Sequence, residues 1–141
     1  MGKLLIGIDP DVFKSGVCFK NGNDYLLKNF TFFELYDFLK SYKEREEKPT
    51  IYIEKGSLNK SNWHIKQGNS AAFNSKIGEN TGRNFETANK IIEMCQYLNL
   101  EYVEIRPTRK KINSETFKKL TGLNIRTNQE QRDALMLVFG R

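Results

Sequence analysis

The chain has 141 residues, a formal net charge of +6 at neutral pH and a pI of about 9.3, with 38% hydrophobic and 28% charged residues. That length is one domain's worth of core, residues 1–141, which needs neither a disulfide nor a metal to fold. No apolar run approaches the ~18 residues of a membrane span, and 10 Phe, 6 Tyr and 1 Trp argue against disorder.

Residues 3–8, KLLIGI, form a short apolar run ending at Asp9 and predict a buried strand. Segments 14–20 and 24–30 flank Asn21-Gly22-Asn23 and predict a hairpin, because Asn-Gly supplies the positive φ of a tight turn. Thr31 stands three residues before Glu34, a capping box that opens a helix. Leu35, Phe38, Leu39 and Tyr42 give that helix one apolar face, and it should stop before Pro49. Residues 50–53, TIYI, predict a fourth strand ending at Glu54. The polar stretch 55–80 has no strong period and reads as a long loop, with at most an extra helical turn over 70–77. From about Gly82, the residues Ala88, Ile91, Ile92, Cys95 and Leu98 trace a helix face, with Asn99 as its stop. Residues 101–105 predict a fifth strand and 114–120 a short helix ending at Gly122. A last helix starts after Thr127, with Glu130 as its capping-box partner. Three strands in a meander, followed by strands reached through helical crossovers, make an α/β fold with a mixed sheet.

The N-terminal apolar stretch is too short for a secretory signal, so the expected location is the cytoplasm. Cys18 and Cys95 are expected to be reduced and buried there. With His64 the sole histidine, a zinc site is close to excluded. The positive charge gathers in two places. Residues 55–80 carry Lys55, Lys60, Lys66 and Lys76 against Glu79. Residues 106–119 carry Arg106, Arg109, Lys110, Lys111, Lys118 and Lys119 against Glu115. Two basic stretches suit a phosphate backbone.

The candidate chemistry is acidic. If the first and fourth strands lie side by side and parallel, Asp9 and Glu54 end neighbouring strands at one edge, ~4.8 Å apart. Carboxylates that close repel one another unless a cation sits between them, and magnesium is the hard cation that takes such oxygens. Glu130 and Asp133, three apart, share a face of the last helix. Each acid also has a plainer reading. Asp9 opens an Asp-Pro turn, Glu54 pairs with Lys55, Glu130 completes the capping box, and Asp133 pairs with Arg132 or Arg126. The joint pattern favours a shared site, in which two metal ions activate water and stabilise the leaving oxygen of a phosphodiester. Trp63 can stack on an unpaired base or anchor its loop, and Phe73 carries the same two readings. His64 reads as polar surface, Phe13 as core and Asp11 as a turn residue.

These residues resemble the ribonuclease H-like superfamily, and within it the RuvC family of Holliday junction resolvases. Gly7-Ile8-Asp9-Pro10 is similar to that family's opening motif, Glu54 after Ile51-Tyr52-Ile53 to its second acid, and Glu130-Gln131-Arg132-Asp133-Ala134-Leu135 to its closing motif. The element order agrees over essentially the whole chain. The resemblance implies a ribonuclease H-like five-stranded mixed sheet: a three-strand antiparallel meander plus two parallel strands, flanked by helices. It implies a crossover junction endodeoxyribonuclease that cuts four-way DNA junctions with Mg2+, for which Mn2+ substitutes, usually as a homodimer. By that likeness Asp9, Glu54, Glu130 and Asp133 are catalytic metal ligands. By the same likeness Lys111 and Lys118 would contact the scissile phosphate or its neighbours, and Lys55, Lys60, Trp63, Arg109 and Lys110 are the further residues expected to contact DNA. The chain departs from the family in Asp11 where Gly is usual, in Glu130 where Asp is usual, and in its shortness, which suits a compact phage-type member. RNA, flaps or forks are alternative substrates for the same chemistry, and a non-catalytic junction-binding module is the alternative of another class.

Overall fold

The computed structural model describes residues 3–58, 71–108 and 111–141, with residues 71–81 as helical backbone. Strands β1 (Leu4–Asp9), β2 (Ser15–Asn21) and β3 (Asp24–Phe30) form the meander. Helix α1 (Phe32–Lys40) leads to β4 (Thr50–Glu54), and a 3-10 turn at Gly56–Leu58 follows. Helix α2 (Ala71–Tyr97) leads to β5 (Glu101–Ile105), and α3 (Ser114–Thr121) and α4 (Gln129–Val138) complete the order. The strands make one five-stranded sheet in the order β3-β2-β1-β4-β5. β1 pairs antiparallel with β2 and parallel with β4, and β4 pairs parallel with β5. The ribonuclease H-like sheet is the one expected.

Local chemistry accounts for most element ends. The hairpin closes through Gly22 and Asn23, with Asn21 opposite Asp24 and the positive φ falling at Gly22 (64°). The capping box is present: the Glu34 amide donates to Thr31 Oγ1 at 3.3 Å, and the Thr31 amide donates to Glu34 Oε1 at 2.9 Å. Asn99 turns left-handed at φ 56° just after α2, and Gly122 at φ 75° caps α3.

Strand alternation splits the core in two. Ile6, Ile8, Val17, Ile51 and Ile53 face α1 and α2, against Leu35, Leu39, Ile91, Cys95 and Leu98. Leu5 and Cys18 face the other way, against Phe117, Ala134, Leu135 and Val138 of α3 and α4. The two cysteines are therefore buried on opposite faces, and burial pushes both thiols up to about 12.

Three expectations need correction. The region read as loop up to residue 80 is helical from Ala71, so α2 is 27 residues long. Its first turns are polar in sequence and carry no apolar period, which appears only from Ala88, where the helix covers the sheet. The cap of α4 is Asn128 with Gln131, not Thr127 with Glu130. Phe13, expected in the core, is 77% exposed on the β1–β2 connection.

Candidate active site

Asp9 is the last residue of β1 and Glu54 the last of β4. The register pairs Gly7 with Tyr52 and Ile8 with Ile53, so the two acids stand opposite one another one step on. Leu5, Gly7 and Asp9 share a strand face, as do Tyr52 and Glu54, and Leu5 and Tyr52 belong to the α3–α4 core. Alternation thus turns both carboxylates toward α4.

Helix α4 reaches them because two strand residues lack a side chain. A methyl group on Gly7 would run into the carbonyl oxygen of Ala134, and one on Gly16 into the backbone of Glu130. The helix backbone therefore lies directly on β1 and β2, an approach only glycine permits. Asn128 Nδ2 ties the helix start to Asn29 Oδ1 at 2.7 Å. At the other end, the buried Lys20 ammonium donates to the backbone oxygens of Val138 at 3.3 Å and Arg141 at 2.8 Å. It satisfies orphan carbonyls and complements the helix dipole. Held this way, α4 brings Glu130 and Asp133 to the ends of β1 and β4.

Asp133 is held by two side chains. Its Oδ2 accepts from Lys111 Nζ at 2.8 Å and its Oδ1 from Gln129 Nε2 at 2.8 Å. Its side chain is 11% exposed against 44% for Lys111. Lys111 is placed by its neighbour. Arg132 reaches from α4 to the carbonyl oxygen of Ile112 at 3.2 Å, to Thr127 at 3.0 Å and to Gln129 Oε1 at 3.1 Å. It fastens the β5–α3 connection over the start of α4.

The acids feel one another. Burial, then repulsion from Glu54 and Asp133 with a smaller push from Glu130, raises Asp9 to about 8, while Lys111 opposes the rise. Glu54 is raised by burial and by Asp133, again with Lys111 opposing. Burial works against the charge on Lys111, yet its bond to Asp133 and the charges of Glu54, Asp133 and Asp9 hold its pKa above the ordinary lysine value.

Among the described residues, no three His, Cys, Asp or Glu side chains stand close enough to make a ready cage for a metal ion. The Lys111 ammonium places a positive charge among the acids. The donor chemistry fits a hard divalent cation: carboxylate oxygens of Asp9 and Glu54, raised in pKa by burial and then by the charge of neighbouring acids. Soft or borderline donors are absent from the group.

Among solved structures, the chain is similar to T. thermophilus RuvC in complex with Holliday junction substrate, with a TM-score of 0.55 and 11% sequence identity, covering 96% of this chain and 90% of that one. The fold is that of RuvC. No family model matches the sequence, and no curated protein matches it. The likeness to RuvC is therefore one of backbone architecture.

Within the RuvC fold, the structure gathers Asp9, Glu54, Glu130, Asp133 and Lys111 at one sheet edge. Lys118 is exposed on α3, and Lys55 pairs with Glu104 at 3.4 Å rather than with Glu54. Arg132 serves the backbone and not Asp133, and with Gln131 as the cap partner Glu130 is not needed for capping. Asp11 is the turn residue expected, accepting from the Phe13 amide at 3.1 Å. Lys60, Trp63, His64, Arg109 and Lys110 lie outside the described residues, and Phe73 falls within the α2 backbone. Sequence reading missed Gly16, Gln129 and Arg132, whose roles depend on contacts between distant segments. No helix among the described residues is long and apolar enough to cross a membrane.

Proposed function

We propose that this protein is a divalent-metal-dependent, structure-selective DNA endonuclease that hydrolyses phosphodiesters at four-way junctions. One observation carries the reading: Asp9 and Glu54 end adjacent parallel strands, and a helix seated on Gly7 and Gly16 brings Glu130 and Asp133 close enough to act on Asp9. A pure DNA-binding module gains nothing from repelling carboxylates beside a phosphate.

Asp9, Glu54, Glu130 and Asp133 would hold Mg2+ or Mn2+. Such an ion, when bound, lowers the pKa of a water and neutralises charge on the leaving oxygen. The chain's own residues supply the rest. Lys111, tethered through Arg132 and Ile112, holds a positive charge at the acids and would meet the scissile phosphate there. The basic stretches 55–80 and 106–119, Lys118 among them, would hold the backbone without reading sequence. A homodimer would offer paired sites for opposed strands of a junction.

The test is cleavage of a labelled four-way junction in Mg2+ by the wild type and by Asp9→Asn. Loss of a metal ligand should lower the single-turnover rate by a factor on the order of 10^3 or more. Equal cleavage by the variant, or none by the wild type, overturns the proposal. A panel including RNA, flaps and forks places the substrate, and preference for one of these would move the substrate while leaving the chemistry in place.

A further inference from the structure

The edge of the sheet that carries Asp9 has an aromatic flank. Asp9 pairs with Gly16 and Ser15 with Phe30, so the β1–β2 connection and the start of α1 emerge beside each other at that edge. Lys111 stands among the acids, bonded to Asp133 of α4. On the β2–β3 side, Phe13 and Phe33 are each 77% exposed, and the Phe33 ring meets the Phe32 ring edge-on at 5.7 Å.

The Phe13 ring projects from an anchored turn. The Phe13 amide donates to Asp11 Oδ2 at 3.1 Å, the Asp11 amide donates to Ser15 Oγ at 3.1 Å, and Pro10 and Ser15 are both buried. Lys14 follows directly, is exposed, and lies near enough to Glu34 of α1 to act on its charge. An isolated exposed ring on a mobile tip would mean nothing. A fixed ring four residues from Asp9, with a second aromatic beside the neighbouring segment and a lysine between, is different. It combines the flat apolar surface and the phosphate contact that unstacked nucleotides require.

We infer that Phe13, seconded by Phe33, is a stacking platform for an unstacked nucleobase next to the phosphodiester held at the acids, and that it biases the protein toward branched over continuous DNA. The inference rests on the nuclease reading for the position of the DNA strand. Branch points offer bases released from their neighbours, whereas a continuous duplex would have to be unstacked first. Lys14 and the net charge of +6 favour a nucleic acid over a second copy of this basic chain as the occupant.

The experiment uses metal-free protein and a DNA four-way junction with 2-aminopurine at the branch point, beside a continuous duplex of the same sequence. Wild type, Phe13→Ala, Phe13→Leu and Phe13→Trp are compared, with sedimentation of each. Wild type and Phe13→Trp should change the 2-aminopurine emission and prefer the junction. Phe13→Ala and Phe13→Leu should lose the emission change and bind the junction roughly tenfold more weakly, within the range of one base stack. Their duplex affinity and unfolding midpoint should not move, since the ring packs on nothing. An unchanged emission response in Phe13→Ala overturns the inference, and junction cleavage by the wild type would leave the nuclease reading standing. A ring-dependent response without any cleavage in Mg2+ would overturn the nuclease reading and keep the stacking site. A lower sedimentation mass in Phe13→Ala would make the patch a self-association surface and overturn the inference.

Discussion

A carboxyl group that titrates at about 8 when folded, against 3.8 ordinarily, keeps a proton in the native state that the unfolded chain has already released. Between these values the folded state binds more protons, so stability must fall as pH rises from about 4 to about 8. Below that interval both states are protonated and Asp9 costs nothing. Above it the full penalty of a buried carboxylate among carboxylates is present. Asp9→Asn removes the penalty, so in EDTA the variant should be more stable than wild type at pH 8, by about a few kcal/mol, with the gap closing toward pH 4. Urea unfolding of both proteins across that range measures it. A gap that is constant with pH would mean that Asp9 does not feel its neighbours. A residue that weakens the metal-free fold while the proposed chemistry depends on it is the trade expected of an active site.

At the scale of elements, the position of Glu130 and Asp133 depends on how closely α4 can lie on the sheet. Gly16→Ala keeps all four acids and removes only that closeness, because its new carbon would fall 2.8 Å from Glu130 Cβ and still nearer the backbone. The helix or the strand must shift, at a cost of about 1–3 kcal/mol or more. Cleavage should drop with it, whereas Gly22→Ala, in open space at the hairpin, should cost about 1 kcal/mol of stability and no activity. Denaturant midpoints and single-turnover rates of the two variants separate the effects. This closeness also marks where sequence ceased to inform. Strands β1 and β4 were legible because a short apolar run ending in an acid has few other solutions, and Thr31 and Gly122 announce their caps by local chemistry alone. The start of α2 was not, because polar turns that extend beyond the packed face of a helix carry no period. The α4 cap slipped by one residue because Thr127 and Asn128 are both good caps, and Asn29 on β3 chooses between them at 2.7 Å. Asp9 and Glu54 could be paired from sequence since parallel neighbours share an edge. Gly16 could not be read as a helix seat, nor Phe13 as surface, because each depends on what lies above it in space.

For the molecule as a whole, one edge of the sheet collects the acids and the Lys111 ammonium at its centre and the exposed aromatics on the β2–β3 side. Lys111 donates to Asp133 at 2.8 Å among these acids. A divalent ion entering the acids would compete both with that ammonium and with the proton on Asp9. Two consequences follow from mass action. First, Mg2+ should stabilise the folded protein, by about 2.7 kcal/mol at a hundredfold excess over its dissociation constant, which for a domain of this size is on the order of 8 °C in melting temperature. Second, the gain should grow between pH 6 and pH 8, since Asp9 must give up its proton before it can bind, and so the metal should flatten the fall in stability with pH expected in EDTA. Thermal melts at the two pH values, with NaCl matched for ionic strength, test both. Asp9→Asn and Glu54→Gln should show little of the rise. Equal stabilisation of wild type and Asp9→Asn would place the ion elsewhere on the protein, and no stabilisation at either pH would leave Lys111 as the only cation these four carboxylates hold.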